Sequence, residues 1–347
     1  MRYNPIKNRL FKKNRALFSD KMIDGSIAIF HSNDLMPKNA DQEMSFKQNS
    51  DLFYLSGIDQ EETILIIKKS QSVIQEALFI RETNSTIMVW EGEKLTQKQA
   101  SLFSGIDRVL WNTDFKKTLP DLISDVTHVY LNSNEHPRAN IVVESRDARF
   151  KKWFSEKFPN KKIKNATKIL YPIRAIKQKD EVDLIQSACD ITALGLKRVF
   201  KKLKPGVYEY ELEAEIIHEF ILNRSSGFAY EPIIASGKNA CILHYNLNNK
   251  LCQSGDLVLM DFGAEYANYS SDLTRCLPVS GRFTKRQADV YNAVLRVMRQ
   301  AIKILNPGTL LSDYEKLVGE IMEKELVDLG LLSLREINES RETPAYK

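Results

Sequence analysis

The segment from Gly255 to Leu277 constrains the fold of this 347-residue chain most strongly. Two runs rich in valine, leucine and methionine flank a polar loop in this segment, which is the pattern of a β-hairpin. Side chains alternate between the two faces of a strand, so Asp261 is expected on the face opposite to Val258, Met260 and Phe262. A turn centred near Tyr266 and Ala267 would bring Asp261 and Asp272 roughly opposite each other, with β-carbons about 5 Å apart. The sequence therefore predicts a pair of carboxylates on neighbouring, half-buried strands.

This pair of carboxylates has two possible explanations. Close, half-buried carboxylates repel each other, so either one of them is protonated or a cation lies between them. Carboxylate oxygens are hard ligands that suit Mn²⁺ or Mg²⁺ and also accept Zn²⁺ or Co²⁺. In the other explanation, each aspartate lies at a strand end or in a turn and faces water, as most aspartates do. The hairpin pattern alone leaves both explanations open.

Length and composition are those of an ordinary globular protein. The length suggests about two domains, and contents of 43% hydrophobic and 27% charged residues show no disordered or membrane-protein bias. The formal net charge of +5 comes from 50 basic and 45 acidic residues spread along the chain, so we expect no nucleic-acid partner. No apolar run reaches the length of a membrane span, so we expect no membrane association.

The cysteines indicate a reducing compartment. Cys189, Cys241, Cys252 and Cys276 are widely spaced and form no CxxC pair, so we expect free thiols and a cytoplasmic location. Residues 1–18 are basic, with apolar residues at helical spacing, which favours a docked amphipathic helix over a targeting signal.

The first half of the chain alternates between strand-like and helical patterns, which predicts an α/β domain. Expected strands are SIAIFHS, DLFYLSGI, ETILIIKK, EALFIRE, TIMVWEG and HVYLNS; expected helices are KLTQKQASLF, DFKKTLPDLI and DARFKKWFSEKF. Trp90 is expected to be structural, and His136 is expected to lie in a loop. Residues 171–180 read as a linker marked by Pro172. Farther along, Thr284 with Gln287, and Ser312 with Glu315, predict capping boxes at two helix starts.

Three motifs resemble known sequences. DFGAEYANYSSDLTR, residues 261–275, resembles the paired-aspartate hairpin of the pita-bread metallopeptidases, which include methionine aminopeptidase, prolidase and Xaa-Pro aminopeptidase. YEPIIASGKNACILHY, residues 230–245, looks like the substrate-side segment of Xaa-Pro aminopeptidases. FKQNSDLFYLSG, residues 46–57, is similar to the FRQxSDFxYLTG signature of the aminopeptidase P N-terminal domain, with Lys47 in place of arginine. Together these motifs extend the resemblance over the whole chain.

The resemblance implies an α/β N-terminal domain over residues 1–172 and an α+β pita-bread (creatinase/aminopeptidase-like) domain over residues 173–347. It implies removal of an N-terminal residue before proline by a hydroxide bound to two divalent ions, expected to be Mn²⁺. Asp261 and Asp272 would be metal ligands, with Asp272 bridging both ions. His244 would hold the substrate or stabilise the transition state. Peptides with proline at the second position would be the substrates.

The sequence departs from this family in its ligand set. All five histidines lie at or before His244, so the histidine and the two glutamate ligands that follow the aspartate pair in the family are not supplied. We therefore expect a C-terminally incomplete pita-bread domain with an uncovered sheet edge, and either a homo-oligomer or a complementing C-terminal segment as partner. Two alternatives to a Xaa-Pro aminopeptidase are a non-catalytic peptide-binding scaffold and a prolidase.

Overall fold

The computed structural model describes residues 2–133 and 142–339 and divides them into two compact units. The first unit contains the described parts of Met1–Ala193, with Phe220–Ala229 and Gly263–Asp272. The second contains Leu194–Glu219, Tyr230–Phe262 and the described part of Leu273–Lys347. His136 is outside the described residues.

The first unit is built on a six-stranded sheet in the order β6 (Val109–Trp111), β5 (Val73–Ile80), β4 (Ile64–Ser70), β1 (Ser26–His31), β7 (His128–Leu131) and β8 (Lys162–Asn165). Only β4 runs against the other five strands, because it pairs antiparallel with both β1 and β5. A separate small ribbon pairs β2 (Pro37–Asn39) with β3 (Gln42–Glu43).

Helices cover both faces of this sheet, so its central strands are apolar on both sides. In β1, Ile27 and Ile29 pack into one buried cluster while Ala28 and Phe30 pack into the other. The helices of this unit are α1 (Arg9–Lys21), α2 (Ser50–Ser56), α3 (Ser85–Glu91), α4 (Gln97–Ser104), α5 (Phe115–Ile123), α6 (Arg146–Lys157) and α7 (Thr167–Ala175). The predicted N-terminal helix and the α/β architecture are confirmed.

Two expected strands are helices instead. Residues 51–58 were predicted as a strand, but α2 begins after Asn49, whose side chain accepts hydrogen bonds from Asp51 N and Leu52 N. The α2 helix is buried over Leu52–Ser56, which explains its strand-like apolar composition. The strand predicted for TIMVWEG was also wrong, because this segment lies in α3, where the Asn84 side chain accepts a hydrogen bond from Ile87 N. Trp90 on α3 is 80% exposed and does not join the core.

The junction between the two halves is shorter than the sequence suggested. Pro172 lies inside α7, and only three residues separate α7 from α8 (Lys179–Lys202), so the predicted linker over 171–180 was wrong. The capping box of Thr284 and Gln287 is present, whereas α11 begins at Leu311 and lacks the predicted box at Ser312. The helices of the second half are α8, α9 (Glu209–Leu222), α10 (Lys285–Ile304), α11 (Leu311–Asp328) and α12 (Leu334–Glu339).

The predicted single hairpin consists of four shorter strands in two sheets. In the second unit, β11 (Leu257–Phe262) lies between β10 (Ile233–Ser236) and β14 (Leu273–Pro278), with both pairings antiparallel. In the first unit, β12 (Ala264–Tyr266) lies between β13 (Tyr269–Ser270) and β9 (Gly227–Phe228). Among the helices of the described residues, none combines the length and the apolar character needed to cross a bilayer.

Candidate functional site

Asp261 lies on β11, the central strand of the second unit's sheet. Val258, Met260 and Phe262 on this strand are fully buried, whereas Asp261 is half-buried on the opposite face. This alternation is the one that the sequence predicts. The Tyr230 hydroxyl donates a hydrogen bond of 2.6 Å to Asp261 Oδ1. This hydrogen bond orients the Asp261 carboxylate.

Asp272 is exposed and directly precedes β14. Its position is fixed through the preceding residue, because Ser271 N donates to Ala264 O at 3.0 Å and Ser271 Oγ lies 2.7 Å from Thr192 Oγ1. Gly263 makes this arrangement possible: a Cβ there would overlap the Ser271 carbonyl oxygen and lie 2.6 Å from its carbonyl carbon. The backbone at Asp272 is thus tightly packed, although its side chain faces solvent.

The register of the strands differs from the predicted one. Thr274, not Asp272, is opposite Asp261, because the turn residues are Ala267 and Asn268 and the turn centre lies one residue later than expected. Both turn residues have positive φ, 52° and 62°, as a two-residue hairpin turn of the type I′ kind requires. The pairing of Asp261 with Asp272 around metal ions stays a prediction.

His244 lies in an exposed turn after a short 3₁₀-helix (Gly237–Cys241). The next residue, Tyr245, is buried, and its hydroxyl donates a hydrogen bond of 2.6 Å to Glu209 Oε2. Burial and this hydrogen bond raise the pKa of Tyr245 to about 12, so its phenol remains protonated and keeps donating at physiological pH. The segment therefore presents the His244 imidazole to solvent from an anchored backbone.

Glu209 is a structural centre of this segment that sequence reasoning missed. Its side chain is fully buried, and its two carboxylate oxygens accept four hydrogen bonds. The donors are Ser236 N at 2.7 Å, Asn239 Nδ2 at 3.1 Å, Tyr245 OH at 2.6 Å and Lys250 N at 2.9 Å. An acidic residue in the first turn of α9 is the only local signal, since helix dipoles favour such positions. Nothing in the sequence pointed to partners 27 to 41 residues away.

Asn248 fastens the same segment to β10 and α9. Its Oδ1 accepts from Ile234 N at 2.9 Å, and its Nδ2 donates to Glu213 Oε2 at 2.8 Å and to Pro232 O at 3.0 Å. Glu209 and Asn248 together hold both ends of the stretch that carries His244. This explains how a loop of largely exposed residues keeps a defined path.

The donor set for a metal is incomplete within the described residues. Asp261 and Asp272 offer hard carboxylate oxygens of the kind that Mn²⁺ or Mg²⁺ accepts. In residues 2–133 and 142–339, however, no group of three or more His, Cys, Asp or Glu side chains could hold a metal ion. His218 is half exposed, with its Nδ1 3.7 Å from Glu219 Oε1, and is a surface residue. These residues do not fit a complete dinuclear site.

Comparisons with known proteins identify both halves of the chain. The profile of the aminopeptidase P N-terminal domain matches residues 11–130, and that of metallopeptidase family M24 matches residues 183–340. Xaa-Pro aminopeptidase of Escherichia coli K12 is 33% identical over 330 residues, which cover 94% of this chain and 75% of the relative. The chain belongs to the Xaa-Pro aminopeptidase family of M24 metallopeptidases. Xaa-Pro aminopeptidase of Haemophilus influenzae is 31% identical, covering 93% of this chain and 73% of the relative.

Solved structures of this Xaa-Pro aminopeptidase family share the fold. An aminopeptidase P structure from Bacillus anthracis has a TM-score of 0.91 at 29% identity, and covers 98% of this chain and 81% of the other. A zinc-substituted E. coli aminopeptidase P in complex with product has a TM-score of 0.84 at 32% identity, covering 95% and 76%. The predicted N-terminal domain and pita-bread domain are confirmed. Membership of a metallopeptidase family implies divalent metal ions.

Proposed function

We propose that this protein removes the N-terminal residue from peptides with proline at the second position. The observation that carries the proposal is the 33% identity to a Xaa-Pro aminopeptidase over 94% of the chain. Tyr230 with Asp261, and the anchored His244 segment, supply local geometry that fits this activity. The domain boundary near residues 172 and 173 is part of the same proposal.

Asp261, which Tyr230 orients, and Asp272 would be the chain's two carboxylate ligands for the metal ions. Manganese is the proposed metal, because both ligands are carboxylates and oxygen ligands suit Mn²⁺. When bound, such ions supply Lewis acidity and lower the pKa of water. The chain's own contribution is to orient one carboxylate, fix the backbone of the other and present His244 to hold the peptide.

The remaining ligands would come from outside the described residues, either from a complementing C-terminal segment or from another copy of the chain. One surface of the second unit supports this proposal. The strand β14 is at the edge of its sheet, and it forms an apolar groove of about 630 Å³ with α10. Val294 and Met298 in this groove are 53% and 44% exposed, respectively. A sheet edge beside apolar side chains is a surface that a further strand would cover.

The test is hydrolysis of a Gly-Pro peptide of three or more residues by the full chain with Mn²⁺, with and without an added C-terminal segment from a relative. Activity that depends on Mn²⁺ and on the segment supports the proposal. Asp261→Asn and Asp272→Asn should abolish this activity, whereas Asp289→Asn, on the exposed face of α10, should not. Cleavage of dipeptides alone would indicate a prolidase. Metal-independent peptide binding without cleavage would indicate a scaffold.

We also propose a cytoplasmic location, because all four cysteines are free thiols. Cys252 is buried, and its burial raises the pKa of its thiol to about 11, which keeps it protonated and unreactive. A reducing compartment keeps the exposed Cys189 and Cys241 in the same state.

A further inference from the structure

A cavity of about 820 Å³ lies within the first unit, along the edge that the strand ends of the six-stranded sheet form. His31 ends β1, Arg81 follows the end of β5, and Asn112 follows the end of β6, and all three line the cavity. Because these strands are parallel, the cavity lies at their carboxyl ends, which is where open α/β sheets bind small molecules. We call it the edge cavity. It contains none of Asp261, Asp272 or His244.

Helix α6 forms one wall of the edge cavity. Four of its residues line the cavity with the spacing i, i+3, i+4 and i+7, which places them on one helical face: Arg146, Arg149, Phe150 and Trp153. The Phe150 and Trp153 rings lie 5.5 Å apart between centroids at an interplanar angle of 37°. This face combines guanidinium groups with a surface of aromatic rings, so it can bind a charge and a planar ring side by side.

His31 lines the edge cavity and carries a buried, unpartnered nitrogen. The residue is 3% exposed, and its ring lies 4.2 Å from that of Phe150 between centroids. Nδ1 is 3.5 Å from Asp147 Oδ1, whereas Nε2 has no hydrogen-bond partner among the described residues. Burial lowers the pKa of His31, in spite of Asp147, so the ring is neutral. With its proton on Nδ1 toward Asp147, the ring presents Nε2 as an acceptor that lacks a donor.

The charged groups of the edge cavity are mixed in sign. Arg81 and Arg149 are already paired, with Glu61 and Asp34 respectively. Arg146 donates to Ser32 Oγ at 3.0 Å and forms no ion pair with a described residue. The lining also includes Lys116, Glu62 and Glu82. A simple inorganic anion would meet carboxylates as well as cations here, whereas a ligand carrying both an anion and hydroxyl donors would satisfy both kinds of group.

We propose that the edge cavity binds a nucleoside monophosphate or a ligand of that chemical class. The base would pack on the aromatic face of α6 and donate an N–H to His31 Nε2. The phosphate would accept from the Arg146 guanidinium, whose other N–H groups remain available beside the hydrogen bond to Ser32 and suit oxygen recognition. The ribose hydroxyls would donate to the carboxylates of the lining. A volume of 820 Å³ lies within the range of about 300 to 1,000 Å³ that is usual for such sites.

The test is calorimetric titration of the full chain with adenosine monophosphate and, separately, with inorganic phosphate. Arg146→Gln should weaken nucleotide binding by about tenfold or more, the loss of a charge-assisted hydrogen bond. Lys151→Gln is the matched control, because it removes one positive charge from an exposed position of the same helix that does not line the cavity. This control should leave the affinity unchanged. Trp153→Leu, with its melting temperature measured alongside, provides a second variant if Arg146→Gln does not fold.

A second readout reports directly on His31. Nitrogen NMR of the imidazoles should show the Nε2 signal of His31 moving upfield when the nucleotide binds, because that nitrogen gains a donor. The proposal is overturned if the nucleotide does not bind, if Arg146→Gln and Lys151→Gln lose affinity equally, or if the His31 signal does not move. It is also overturned if inorganic phosphate binds as tightly as the nucleotide, because the aromatic face would then contribute nothing.

Discussion

Replacing Gly263 by alanine tests how the backbone around Asp272 is held. The new Cβ would overlap the Ser271 carbonyl oxygen and lie 2.6 Å from its carbon and 3.2 Å from Asp272 N. Carbon atoms in ordinary contact are about 3.5 to 4.0 Å apart. Because the obstacle is backbone and not a flexible side chain, the backbone segments at Gly263 and Ser271 must separate by roughly an ångström.

The expected loss of stability follows from what this separation breaks. Overpacking typically costs about 1 to 3 kcal/mol. The Ser271 N to Ala264 O hydrogen bond and the contact between Ser271 Oγ and Thr192 Oγ1 would also lengthen, at about 1 kcal/mol each. We therefore expect Gly263→Ala to lower the free energy of unfolding by about 3 to 5 kcal/mol.

Gly255→Ala is the matched control because its cost comes from backbone conformation and not from a steric clash. A Cβ at Gly255 meets nothing within 4 Å, but its φ is +91°, which an L-residue adopts at a cost of about 1 to 2 kcal/mol. Urea unfolding followed by circular dichroism measures both variants, and hydrogen exchange at Ser271 N reports the local opening. The reasoning is refuted if Gly263→Ala is as stable as Gly255→Ala or more stable.

Three further substitutions test other parts of the structure. Glu209→Gln should lower the free energy of unfolding by about 1 to 3 kcal/mol, because an amide cannot accept from every donor and Lys250 N loses its partner. Glu61→Gln should lower the free energy of unfolding near neutral pH but not in acid. Burial raises the pKa of Glu61, but the opposing effect of Lys94 and Arg81 is larger, so the folded pKa is below the usual 4.5. Ala267→Gly should raise stability by up to about 1 kcal/mol, since Ala267 has a φ of +52°.

For Glu61, the stability that the charged carboxylate contributes is complete above pH 4.5 and disappears as the pH falls through its lower folded pKa. A constant difference between wild type and Glu61→Gln from pH 7 to pH 2 would contradict this assignment. Ala288→Gly is the control for Ala267→Gly, because the same substitution inside α10 should lower the free energy of unfolding by about 1 kcal/mol. The two substitutions should therefore change stability in opposite directions. An unchanged melting curve for Glu209→Gln would contradict the anchoring role.

Strand positions with a strong alternation could be predicted from the sequence, and those governed by distant contacts could not. The facing of β11 was correct because Val258, Met260 and Phe262 alternate with half-buried residues. Residues 51–58 failed because α2 is buried in the first unit and its apolar residues imitate a strand. The helix is set by its asparagine cap and by Gly57 with φ +69° at its end, and both signals were present in the sequence.

The candidate site shows the same division. Asp261, Asp272 and His244 could be singled out because they lie in short motifs. The hairpin turn was misplaced by one residue because Ala267 is not a residue type that indicates positive φ. Glu209 could not be found because its importance arises from four donors that only the folded chain brings together.

Asp261 and Asp272 are proposed to share bound divalent ions. Titration of the full chain with Mn²⁺, followed by paramagnetic broadening of backbone amide signals, tests it most directly, because this method detects weak binding and locates it. We predict that broadening centres on the amides of both aspartates and disappears in Asp261→Asn and in Asp272→Asn, but not in Asp289→Asn. Broadening that is centred elsewhere, or that survives either substitution, would contradict the claim.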